Sequence, residues 1–247
     1  MLLYCNCSDN RYDSLQTKFT RRFSNGYSVL AHYTLQRARD YDDSRFIPDS
    51  PPDLGYGPED FIRTHNFVLS QVAELPFGRG KRWFTNASRG LNYLVGGWQF
   101  NSNTTIQSGL PFNVGYDSGA NVDVGPNRPD VNGEVRITGS REQYFDTSAF
   151  SNPGVGNWGN LPRNALRGPG YWRTDASLFK KFIFSESKEL EFRIESVNVF
   201  NHVNLENPDT NIGNPASPRP EAGRITSTAY FGTDLQRNFQ FAVKLKF

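Results

Sequence analysis

The sequence predicts an all-β fold: an antiparallel transmembrane β-barrel segment of about seven long strands, with short periplasmic turns and long extracellular loops, incomplete as a barrel. Three observations predict it. Apolar residues recur at every second position, the strand period, and no segment shows a convincing helical one. The alternating segments run to about 11 residues, which at roughly 3.3 Å each and a tilt near 45° spans about 25 Å, the height of an outer-membrane apolar band. Tight connections alternate with very long ones, as in barrels that cross the outer membrane.

Composition narrows the class further. The chain has 247 residues, 36% hydrophobic and 14% aromatic, with a net charge of +2 and a mean hydropathy of -0.61. So polar a chain with so many aromatic residues must space its apolar side chains. Its balanced charge gives no electropositive field, so no nucleic-acid partner is expected. No run approaches the roughly 18 apolar residues of a spanning helix. Cys5 and Cys7 are too few for a disulfide framework, and the opening residues lack the basic and apolar regions of a signal peptide. Residues 1–11 read as a preface, and 12–247 carry the pattern.

Prolines mark the elements, because proline cannot donate to a strand ladder. All 15 lie outside seven segments: 12–23, 27–37, 63–75, 97–107, 172–184, 189–200 and 237–247. The first two are joined by Ser24-Asn25-Gly26, the form of a three-residue loop with a G1 bulge, which would pair Phe23 with Tyr27. In the second, Tyr27, Val29, Ala31, Tyr33 and Leu35 oppose Ser28, His32, Thr34 and Gln36. The 76–96 connection is long where a tight turn is expected, and fits either strand extensions or a periplasmic excursion. In the fourth segment Trp98, Phe100, Thr104 and Ile106 oppose Gln99, Asn101, Asn103, Thr105 and Gln107.

In the fifth and sixth segments the lipid-facing set is Trp172, Ala176, Leu178, Phe182 and Phe184, then Leu190, Phe192 and Ile194. Matching these faces demands an odd number of turn residues, because a one-residue slip inverts a strand. Pairing Ile183 with Glu189 sets Lys181 opposite Glu191 and brings Lys244 and Lys246 level with Glu189, Glu191 and Glu195. That is a lumenal charge ladder near the periplasmic rim. In the last segment Phe239, Phe241, Val243, Leu245 and Phe247 share one face. The long connections, 38–62, 108–171 and 201–236, are rich in Gly, Pro, Asn and Asp, as a solvated surface would be. A secreted β-sandwich binding module could show the same alternation with the Phe239, Phe241 and Val243 face turned inward.

Several phrases resemble a known family. The stretch Phe192-Arg-Ile-Glu-Ser-Val-Asn-Val-Phe-Asn-His-Val-Asn-Leu205 resembles the penultimate-strand motif of TonB-dependent outer-membrane transporters, especially the Oar-like group. So do Arg163-Asn-Ala-Leu-Arg-Gly-Pro-Gly170 leading into Asp175-Ala-Ser-Leu-Phe-Lys180, and Gly96-Gly-Trp-Gln-Phe100 running on to Gln107-Ser-Gly-Leu-Pro-Phe112. Phe239, Phe241, Val243, Leu245 and Phe247 resemble the signal read by the barrel-assembly machinery. The resemblance implies a barrel of about 22 strands filled by a plug. It also implies energy-coupled uptake of a bulky nutrient of the siderophore, saccharide or peptide class, and TonB as a partner reached through that plug. Seven strands, with no plug and no TonB box, are expected to be the carboxyl-terminal third or less of a transporter, inactive alone and embedded in outer-membrane lipid.

Catalytic and metal chemistry is not expected. His32, His65 and His202 lack ligand spacing, and Gly78-Arg-Gly80-Lys81 lacks the spacing of a phosphate loop. Asp117, Asn121, Asp123, Asn127, Asp130 and Asn132 crowd one loop but fit turn formation better than calcium binding. No cofactor is implied. Tyr144, Trp158, Tyr171 and Trp172, with Phe145, are the candidates for a ligand-capturing loop surface, against the alternative of loop packing and an aromatic girdle.

Overall fold

A computed structural model describes residues 9–41, 52–117, 127–185, 187–214, 217–229 and 236–247. Cys5, Cys7, Asn121 and Asp123 lie outside the described residues. Seven long strands form the frame: β1 (Arg11–Ser24), β2 (Tyr27–Tyr41), β3 (His65–Glu74), β4 (Trp98–Gln107), β5 (Tyr171–Ser185), β6 (Lys188–Val197) and β7 (Asn238–Lys246). Each pairs antiparallel with its chain neighbour, so the sheet is a meander in sequence order. The ladder ends at β1 and β7, each paired on one side only, and the barrel is open. No helix among the described residues is long and apolar enough to cross a membrane.

Alternation is carried intact from strand to strand. One apolar row runs Tyr27, Ala73, Phe100, Leu178, Ile194, Phe241, and the row beside it on the other face runs Ser28, Val72, Asn101, Ser177, Glu195, Gln240. The register places Ile183 opposite Glu189 and Lys181 opposite Glu191, as parity requires, and pairing continues past an irregularity to Ser185 and Lys188. A sandwich would need a second sheet over the apolar face. Among the described residues none lies there, and Phe241 stays 73% exposed.

Local chemistry corrects four details. The first turn has two residues, not three: Ser24 pairs with Tyr27, and an irregularity between Arg21 and Ser24 absorbs the extra residue. Asn25 and Gly26 both take positive φ, 54° and 79°, the pair whose twist matches that of the flanking strands. Secondly, β6 stops at Val197. There Asn198 turns the chain at φ 49°, donating its side-chain amide to the His202 carbonyl at 2.9 Å and accepting the His202 N–H at 3.0 Å. Thirdly, the 76–96 connection holds a helix, α1 (Arg89–Val95), capped by the Ser88 hydroxyl. At two turns it is too short to leave a periodic trace in the sequence.

The fourth correction concerns the long loops, which are not simply solvated. Phe112, Val114, Tyr144, Phe145, Phe150, Leu161 and Ile225 pack into one buried cluster. Phe145 lies 5.7 Å from Phe112 and 5.9 Å from Phe150, ring centre to ring centre. Two of the quoted phrases meet here: Pro111 and Phe112 pair with Arg167 and Leu166, and a Cβ on Gly109 would collide with the Gly168 carbonyl. The main apolar core therefore belongs to a cap built from loops, at the end opposite the short turns.

Candidate functional site

Among the described residues, side chains from all seven long strands border a broad concave region. Polar-face residues such as Ser70, Asn103, Asp175 and Glu195 line a trough of about 1200 Å³. Several of its hydrogen-bonding groups are paired with one another, whereas the buried Ser196 hydroxyl on its wall has no partner. The Ser70 hydroxyl donates to the Asn103 side-chain carbonyl at 2.9 Å, and the Gln99 amide donates to that of Asn101 at 2.9 Å. Arg173 donates twice to Asp175, both at 2.7 Å, and Asp175 also accepts the Asn198 N–H at 2.9 Å. Toward the cap a hollow of about 250 Å³ opens between Asn103, Gln107, Tyr171 and Arg173. Amides, hydroxyls and a neutralised arginine suit hydrogen bonding to a polar solute.

Closer to the turn rim the charge ladder forms. Lys181 lies 3.4 Å from Glu189 and 3.7 Å from Glu191, and Arg193 lies 3.0 Å from Glu191 and 3.5 Å from Glu195. Arg193 also stacks over the Phe179 ring at 4.6 Å. Lys246 and Lys244 stand opposite Glu189 and Glu191 in register, yet the close ion pairs run through Lys181 and Arg193. Arg193 was legible: Glu191, Arg193 and Glu195 share a face by simple alternation. At this exposure each pair is worth at most about 1 kcal/mol.

A buried cation helps fasten the cap to the sheet. Arg163, 4% exposed, pairs with the Asp40 carboxylate at the end of β2 and reaches Asp60 at 3.2 Å. Asn164 beside it, buried as well, donates its side-chain amide to the Pro58 carbonyl at 2.7 Å and to the Asp60 carboxylate at 2.5 Å. No periodic signal in the sequence marks Arg163, because its partners lie more than a hundred residues away.

The four aromatic candidates are not brought together. Tyr144 is buried in the cap core, where loss of solvent raises its hydroxyl pKa above the ordinary value near 10. Trp158 is half-buried in the cap. Tyr171 borders the polar hollow. Trp172 is its neighbour on the other face, stacked on His202 at 4.3 Å and near Phe200 at 5.7 Å. Burial there lowers the His202 pKa and favours its neutral form. In the terminal strand Phe239, Phe241, Val243 and Leu245 form an exposed apolar stripe on the edge of the sheet.

A family model described as an outer membrane beta barrel domain matches residues 1–240. No curated protein and no solved structure matches the chain.

Proposed function

The chain belongs to the outer membrane beta barrel domain family and resides in the outer membrane, and from that premise we propose that it forms part of a TonB-dependent transporter of the Oar-like group. Its role is energy-coupled uptake of a bulky nutrient of the siderophore, saccharide or peptide class. Two features support this reading: the seven strands border a trough of about 1200 Å³ lined by many polar side chains, and the loops beyond the strand ends pack into a folded cap. A barrel that only anchored itself would need neither a trough lined by polar groups nor a folded loop domain. The free edges of β1 and β7 call for further strands, since open edges in lipid leave backbone groups unsatisfied.

In this reading the short turns are periplasmic and the cap is extracellular. Strand β7 offers its free edge and the Phe239, Phe241, Val243, Leu245 and Phe247 stripe to the barrel-assembly machinery. TonB is the partner that the family resemblance implies, reached through a plug domain. The chain contributes no catalytic step of its own. The test is uptake of labelled siderophores, oligosaccharides and peptides by cells with and without the gene. Loss of one class, with the same loss when TonB is removed, is expected; unchanged uptake of all three overturns the transport reading.

A further inference from the structure

The β3–β4 connection lies at the turn rim and differs in composition from everything around it. Residues 76–97 carry Arg79, Lys81, Arg82 and Arg89 and no Asp or Glu. Its large apolar side chains are turned outward: Trp83, Phe84, Leu91, Tyr93 and Leu94 are all exposed, Leu94 to 70%. The segment is nonetheless built. Arg79 donates its backbone N–H to the Asn92 side chain and its guanidinium to the Ala87 carbonyl, both at 2.7 Å, and Phe77 stacks on Trp83 at 5.1 Å.

Two side chains from the apolar face fix where it rests. The Trp98 indole donates to the Leu94 carbonyl at 2.9 Å, and the Lys180 ammonium donates to the Gly96 carbonyl. Trp98 and Lys180 are register partners, one row from Phe100 and Leu178. The carboxyl end of α1 therefore lies on the lipid side of the rim and not over the trough. Lys180 also meets the negative end of the helix dipole, which suits an otherwise costly buried cation.

We infer that residues 76–97 are an amphipathic foot that docks on anionic phospholipid of the periplasmic leaflet. Leu91, Leu94, Trp83 and Phe84 enter the boundary between headgroups and acyl chains, and the arginines meet lipid phosphates. Two features select this occupant. The foot continues the apolar band that already faces lipid, and its uncompensated positive charge complements anionic headgroups. Lys81 is paired with Glu74 at 2.6 Å, which leaves Arg82 and Arg89 to act on the membrane. The inference rests on the orientation proposed above.

The test uses the full chain with Cys5→Ser and Cys7→Ser, reconstituted into phosphatidylcholine vesicles with and without phosphatidylglycerol. A fluorophore is attached at Leu94→Cys, or at Phe241→Cys as the control. The label at 94 is expected to be quenched by a nitroxide near the headgroup, more strongly with phosphatidylglycerol. Arg82→Gln and Arg89→Gln should each lower that anionic-lipid component about fivefold, the factor for about 1 kcal/mol per surface charge, while Arg82→Lys and Arg89→Lys retain it. If the label at 241 is quenched from the bilayer interior but the label at 94 answers only to an aqueous quencher, the foot is overturned and the barrel reading stands. Quenching at 94 that is indifferent to phosphatidylglycerol also overturns it. If neither label meets lipid, the membrane orientation fails and the foot with it.

Discussion

Phe145 and Phe241 are both aromatic residues in a β-rich chain, and the molecule uses them in opposite ways. Phe145 is fully buried, packed edge-on against Phe150 in the cap, whereas Phe241 stands 73% exposed on the sheet. The cap is built as a water-soluble domain is, with apolar residues inside and loops outside. The sheet has no such interior, and its apolar row is finished only by hydrocarbon. The two regions should thus respond to different perturbations, and that difference can be attacked directly.

The largest effect is expected at the cap core. Phe145→Ala should cost about 3–5 kcal/mol by leaving a cavity. Limited proteolysis should then cut within 108–171 while the strand signal in circular dichroism persists in detergent; loss of both together would mean that cap and sheet are one cooperative unit. Next comes the fastening between them. Arg163→Ala leaves the Asp40 carboxylate without its cation and should cost about 3 kcal/mol, freeing the cap without disturbing the sheet, again by proteolysis.

In the sheet, Phe241→Arg should cost about 2–4 kcal/mol for refolding into bilayers, since the residue lies mid-strand on the lipid face. Leu245→Arg should cost about 1 kcal/mol or less, because its partner Leu190 is near the turn rim. Equal costs at the two positions would contradict the depth assigned to them. A gentler probe is pH. Burial raises the Tyr144 pKa, so its neutral hydroxyl contributes stability that is complete below about pH 10 and lost as pH rises through the folded-state value. Phenolate absorbance at alkaline pH should rise together with proteolysis of the cap, while the sheet stays unchanged. The smallest effect is Arg193→Gln in the charge ladder, at most about 1 kcal/mol and abolished by high salt in refolding titrations.

The sheet was legible because its rule is local. Each strand writes its two faces into consecutive residues, and face parity sets Lys181 opposite Glu191 and Lys244 and Lys246 level with the acidic stripe; the structure resolves the latter into Glu191 opposite Lys244 and Glu189 opposite Lys246. The first turn differs from its expected form by one residue, because Asn25-Gly26 satisfies two hairpin forms until the strands on either side choose the twist. In the sequence the cap looks like solvated loops, because its core residues come from scattered short pieces, among them strands only two residues long. Of the aromatic candidates, Tyr171 and Trp172 could be assigned to opposite faces by alternation. Tyr144 and Trp158, lying outside any period, could not be placed.

By itself, then, the sequence determined the seven strands, their two faces and the face parity of the β5–β6 hairpin, since a two-residue repeat is carried by covalent order alone. Only the tertiary structure decided that Phe112, Phe145 and Ile225 meet, that Arg163 ties the cap to β2, and that Trp98 and Lys180 hold α1 on the lipid side of the rim. Those contacts join irregular segments far apart in the chain, and without a repeat between the partners the residue order leaves no local mark of where they close.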